Sequence, residues 1–143
     1  PGYVNDMLVR ALAGVTKAER PQFLKIAYNG ARAMDELVSF DPSLVVGILG
    51  GSAGTTRDCF ELLNQAERNG ARVALFGRKI NLAESPLDLV SFFRPVIDGS
   101  IKPKEAVRAY HDCLARKGIE PKLSLSKDLM ITDPALEGHG SDA

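Results

Sequence analysis

Apolar and polar positions along this chain follow two alternating rhythms. Three short runs, Phe23 to Tyr28, Leu44 to Leu49 and Arg72 to Phe76, are dense in β-branched and apolar residues. Each is followed by a longer segment in which apolar residues recur at helical spacing, and that alternation predicts βα units around a parallel sheet. After the first run, Met34, Leu37 and Val38 share one helical face from Ala31 to Phe40, and Asp41-Pro42 stops the helix because the residue before proline is pushed out of the α region. After the second, Thr55 or Thr56 can cap a helix carrying Cys59, Phe60, Leu63 and Ala66, ended by Asn69-Gly70.

The third run leads into a loop, Arg78 to Glu84, then a helix from Pro86 to about Ile97 and a last helix from Pro103 to Lys117 closed by Gly118. Pro103 falls where a first-turn proline is harmless. Ahead of the first run, residues 1–20 read as a helix whose apolar positions Val4, Leu8, Leu12 and Val15 need a partner surface. Three parts follow: this helix, the βα units over 21–120, and a polar, irregular tail over 121–143. Three strands cannot close a barrel, and the chain opens on Pro1. Both features lead us to expect a fragment or a processed product.

Composition narrows the possibilities without naming a function. The 143 residues are 45% hydrophobic and 25% charged, enough apolar material for one core. Eighteen basic residues balance eighteen acidic ones, so no global field steers the chain toward nucleic acid or an anionic membrane. Cys59 and Cys113 have neither disulfide-scaffold density nor metal or redox spacing. With no apolar run near the ~20 residues of a spanning helix and no export signal, a cytoplasmic protein is expected. No metal or cofactor is expected.

Candidate chemistry gathers at the ends of the three runs. In the first, Phe23, Lys25 and Ala27 point to one face, and Leu24, Ile26 and Tyr28 to the other. If the aliphatic face meets helices, Lys25 points into a barrel, where desolvation would make its amine a nucleophile for imine formation. The plainer alternative is a lysine whose stem covers apolar surface while its charge reaches water.

The second run ends in Gly50-Gly51-Ser52-Ala53-Gly54-Thr55-Thr56. Small residues there let backbone N–H groups converge at a helix start, a place suited to an anion. The third ends in Phe76-Gly77-Arg78-Lys79, and its two cations would complete a shared phosphate cradle with Gly50, Gly51, Ser52, Gly54 and Gly77. Gly50 to Gly54 also matches G-x-S-x-G, which offers Ser52 as an acyl-transfer nucleophile. That reading needs a downstream acid and histidine, and the two histidines stand on a late helix, His111, and in the tail, His139. His111 reads as a packing or surface residue.

Taken together, Phe23-Leu24-Lys25-Ile26-Ala27-Tyr28, Gly50-Gly51-Ser52 and Phe76-Gly77-Arg78-Lys79-Ile80 resemble strands six, seven and eight of the class I aldolase superfamily. That group includes deoxyribose-phosphate aldolase and the class I fructose- and tagatose-bisphosphate aldolases. The resemblance covers roughly residues 21 to 118 and implies the C-terminal part of a TIM (β/α)8 barrel. It further implies a lyase in which Lys25 forms the Schiff base and Gly50, Gly51, Ser52, Gly77 and Arg78 hold the phosphate of a sugar substrate. The family's acid and relay residues lie on earlier strands, so the N-terminal part of the barrel, or a homo-oligomer, is the expected partner, and the chain alone should be inactive. The rival readings are a non-catalytic, phosphate-binding partial barrel and a serine hydrolase using Ser52.

Overall fold

The computed structural model describes residues 2–137 and shows a mixed α/β fold built on a small parallel sheet. In chain order the elements are α1 (Gly2–Ala13), β1 (Phe23–Ala27), α2 (Ala31–Phe40), β2 (Val45–Leu49), α3 (Thr56–Arg68) and β3 (Val73–Leu75). There follow α4 (Arg78–Asn81), α5 (Pro86–Ser91), α6 (Phe93–Ile97), α7 (Pro103–Arg116), α8 (Leu125–Asp128) and a 3-10 turn at Pro134–Leu136. The sheet order is β1-β2-β3, with both pairings parallel. The expected sequential, parallel strands are therefore present; the helix expected over residues 1–20 ends at Ala13, and the later helices are present with two differences.

The first difference lies in the predicted helix from Pro86 to Ile97, which breaks at Phe92 into α5 and α6. A continuous helix would need an N–H at Pro95 and would drive its ring into the Ser91 carbonyl. Restarting at Phe93 puts Pro95 in a first turn, where no N–H is required. The second difference is a single helical turn, α4, inside the predicted loop Arg78 to Glu84.

Helices cover one face of the sheet. Ile26, Val46 and Ile48 are buried there with Leu12 of α1, Met34 and Leu37 of α2, and Leu62 and Ala66 of α3. α3 has a second apolar flank, Cys59, Phe60 and Leu63, which packs with Leu89, Val96, Val107, Tyr110 and Leu114 of α5, α6 and α7. Phe60 meets Phe92 and Phe93 edge to face at 6.1 and 6.3 Å between centroids, a favoured aromatic geometry. One helix thus joins two cores. Its C-terminus closes with Gly70 N–H donating to the Glu67 carbonyl and Ala71 N–H to the Ala66 carbonyl, with Gly70 at φ 90° as this ending requires.

The opposite face of the same strands has no cover. Phe23, Val45, Val73 and Leu75 are each between 37% and 43% exposed. By register Lys25 stands beside Gly47, Ala27 beside Leu49, and Leu49 beside Leu75.

The segment from Pro121, expected to be an irregular tail, packs against the body as far as Leu136. Leu136 enters the first core at 1% exposure. Its carbonyl accepts from Gln65 Nε2 at 3.2 Å, and Gln65 Oε1 in turn accepts from Tyr28 OH at 3.1 Å. Few apolar residues suffice because polar bonds attach this strap to α3. Residues 138–143, His139 among them, lie outside the described residues. Among the described residues, no helix is long and apolar enough to cross a membrane.

Candidate functional site

Parallel pairing brings the C-terminal ends of all three strands to one edge of the sheet, the edge at which α/β folds place ligands. The Gly50–Thr56 turn and the Gly77–Lys79 turn are neighbours there, linked by the Gly50 N–H donating to the Leu75 carbonyl at 3.3 Å. A Cβ on Gly50 would strike the Phe76 ring at 2.8 Å, so the close approach of the two turns depends on glycine. Where Gly51 and Gly77 would carry a Cβ there is open space within 4 Å. These two backbone stretches can be approached from outside.

The start of α3 is engaged by the protein itself. Thr55 is its N-cap: Oγ1 accepts from Asp58 N–H at 3.0 Å, while the Asp58 carboxylate accepts from Thr55 N–H at 2.9 Å. Thr56 N–H donates to Asp128 Oδ1 at 2.7 Å. The helix-start amides of Thr55 and Thr56, which the sequence offered to an external anion, thus meet internal carboxylates. Gly54 serves this arrangement, because its φ is 58° and a Cβ would come within 2.5 Å of the Asp58 carboxylate.

Asp58 also accepts from Thr132 N–H at 2.8 Å, from Thr132 Oγ1, and from Asp133 N–H at 3.3 Å. Burial alone would raise its pKa, but the bonds from Thr132, Thr55 and Asp133 outweigh it and hold the carboxyl below its ordinary value. Asp128 pairs through Oδ2 with His111 Nε2 at 2.8 Å, and both side chains are at most 10% exposed. His111, expected to be a packing or surface residue, therefore orients the carboxylate that meets Thr56.

The two cations of the third turn part company. Arg78 is exposed at the end of the sheet. Lys79 is buried, its Nζ donating to the Ala53 carbonyl at 3.0 Å, so it braces the glycine turn from behind. Successive residues on a helical turn point about 100° apart, which is why adjacent cations on α4 reach different places. Burial lowers the Lys79 pKa, an effect that Cys59, Asp58 and Asp133 partly oppose.

Lys25 lies on the open face, exposed and one side-chain step below the end of β1. Tyr28, just past that end, faces the covered side. Burial and the charge of Glu61 push its pKa up to about 12, so it serves as a donor to Gln65. Ser52 is exposed, and among the described residues no histidine hydrogen-bonds to it, since His111 Nε2 is held by Asp128.

Sequence reasoning missed Asp58, Asp128 and Thr132. A local signal existed for Asp58, since a threonine followed three residues later by an acid is a capping-box pattern. None existed for Asp128 or Thr132, which reach α3 across separations of 72 and 74 residues. Comparison with family models, curated proteins and solved structures gives no match.

Proposed function

We propose that this chain supplies three consecutive βα units of a barrel that cleaves a phosphorylated sugar through a lysine imine. One observation carries the reading: a parallel sheet covered on one face only, whose other face is apolar apart from Lys25. A face of Phe23, Ala27, Val45, Leu49, Val73 and Leu75 suits a barrel interior, and the outer edges of β1 and β3 can take further strands. Gly51, Gly77 and Arg78 at the strand ends suit a phosphate whose oxygens take backbone N–H groups and a planar guanidinium.

In this mechanism the Lys25 amine attacks the sugar carbonyl and water leaves, giving a protonated imine. A base takes the proton of the hydroxyl on the β carbon, the bond between the α and β carbons breaks with its electron pair flowing into the imine, and an aldehyde leaves while an enamine stays on Lys25. Protonation and hydrolysis return the second product and free Lys25. The phosphate turn supplies the binding energy that positions the carbonyl. Acid–base groups would come from the strands that complete the barrel.

The test is borohydride trapping on the full-length protein with candidate sugar phosphates, with the adduct located by mass spectrometry. An adduct on Lys25 that is lost in Lys25→Met supports the reading; cleavage that persists in Lys25→Met removes it. The exposure of Lys25 favours a second reading for the chain taken by itself, phosphate recognition without turnover. Phosphate binding with neither trapping nor cleavage would select it.

A further inference from the structure

Behind the glycine turn, on the helix-covered side, lies a cleft of about 350 Å³. Its walls come from the start of α3, the segment Lys79 to Glu84, Leu89 of α5 and the strap residues Lys122, Leu123 and Asp128. Much of the lining is apolar, including Leu82, Ala83, Leu89 and Leu123. Lys79 also lines it, at only 7% exposure.

Among the described residues no carboxylate contacts Lys79, although Asp58 and Asp133 act on it through space. Its ammonium has three N–H donors, and the Ala53 carbonyl takes one. The nearby carboxylates are engaged elsewhere. Asp58 holds Thr55, Thr132 and Asp133. Asp128 holds Thr56 and His111, and Glu84 accepts from Tyr110 OH at 3.1 Å and Lys122 N–H at 2.8 Å. A buried cation without a contacting anion is costly. Here it stands beside a space large enough to admit one.

We infer that this cleft binds a small organic monocarboxylate, its carboxylate on Lys79 and its short aliphatic body against Leu82, Ala83, Leu89 and Leu123. Lys79 and Lys122 line the cleft together with Glu84 and Asp128, so a single negative charge on Lys79 meets less repulsion than a phosphate dianion would, and the apolar walls favour a hydrocarbon body over a sugar. Gly51, Gly77 and Arg78 do not line this cleft, which borders the same turn through Ala53 and Gly54. The cleft stands whether or not the chain belongs to an aldolase.

The test is an NMR titration of the full chain with butanoate, with butan-1-ol and inorganic phosphate as comparators. Saturable butanoate binding is expected, with shifts at Ala83, Leu89 and Leu123, and binding of butan-1-ol weaker by roughly tenfold or more, the size of a charge-assisted hydrogen bond. Lys79→Met should weaken butanoate by a similar factor, and Arg78→Ala should leave it unchanged. Leu123→Trp narrows the cleft without touching Lys79 and should also reduce binding, which keeps the test decisive if Lys79→Met does not fold. Absence of saturable butanoate binding, equal affinity for butan-1-ol, or loss on Arg78→Ala with none on Leu123→Trp would overturn the inference. In that case Lys79 acts only as a brace for the turn.

Discussion

The two faces of the sheet are made by the same three strands from similar aliphatic residues, yet they have opposite surroundings. On one, Val46 and Ile48 are at 0% and 1% exposure beneath α2 and α3; on the other, Val45 and Val73 stand at 37% and 38%. Side-chain type does not separate them. The difference lies in connection: each crossover helix returns over the same face, leaving the other without a layer. The covered face holds the fold together, and the open one carries Lys25 among exposed apolar side chains.

Substitution on the two faces should therefore have unequal effects. Leu37→Ala, at a position of 0% exposure on α2, should cost about 2–5 kcal/mol, the range for emptying a buried leucine site. Val45→Ala should cost less than about 1 kcal/mol, because much of that side chain is already in water. Urea denaturation measures both, and equal losses would break the distinction between the faces.

Asp58→Ala probes the join between α3 and the strap. Losing the carboxylate half of the capping box and its bonds to Thr132 and Asp133 should destabilise the protein by about 1–3 kcal/mol near neutral pH. The Asp58 pKa is lowered in the folded state, so its contribution is full above the ordinary carboxylate range and disappears as pH falls through the lowered value. Denaturation at neutral and strongly acidic pH should show the gap between wild type and Asp58→Ala shrinking in acid. A gap that widens in acid would refute this sign.

At the open end, Arg78→Ala should weaken phosphate binding about tenfold or more, as expected for loss of a charge-assisted contact; unchanged affinity in titration calorimetry would remove Arg78 from the proposed cradle. The smallest stability effect belongs to Lys25→Met, which should change stability by no more than about 0.5 kcal/mol, as for an exposed site. A larger loss would mean that Lys25 holds the fold and is not spare for reaction.

Much of the sheet and its crossovers was legible because the signals are local. Asp41-Pro42 ended α2 as read, Thr55 capped α3, and the alternation in Phe23–Ala27 gave the two faces. The break between α5 and α6 went unread although Pro95 marks it, because the apolar spacing runs straight through. The site was less legible. Adjacency of Arg78 and Lys79 suggested a joint role, whereas helical rotation sends one outward and the other behind the turn. The partners of Thr56 and Asp58 sit in a polar segment that looks unstructured in sequence, because its order comes from bonds to α3 and not from its own apolar pattern.

The strap also sets a timetable. Asp128 and Thr132 follow their partners on α3 by 72 and 74 residues. At the usual 5–20 residues per second of synthesis, the start of α3 waits about 4–14 s for the groups that complete its first turn. Until then only Thr55 and Asp58 are available to cap α3, so the strap is the last of these partners to be made.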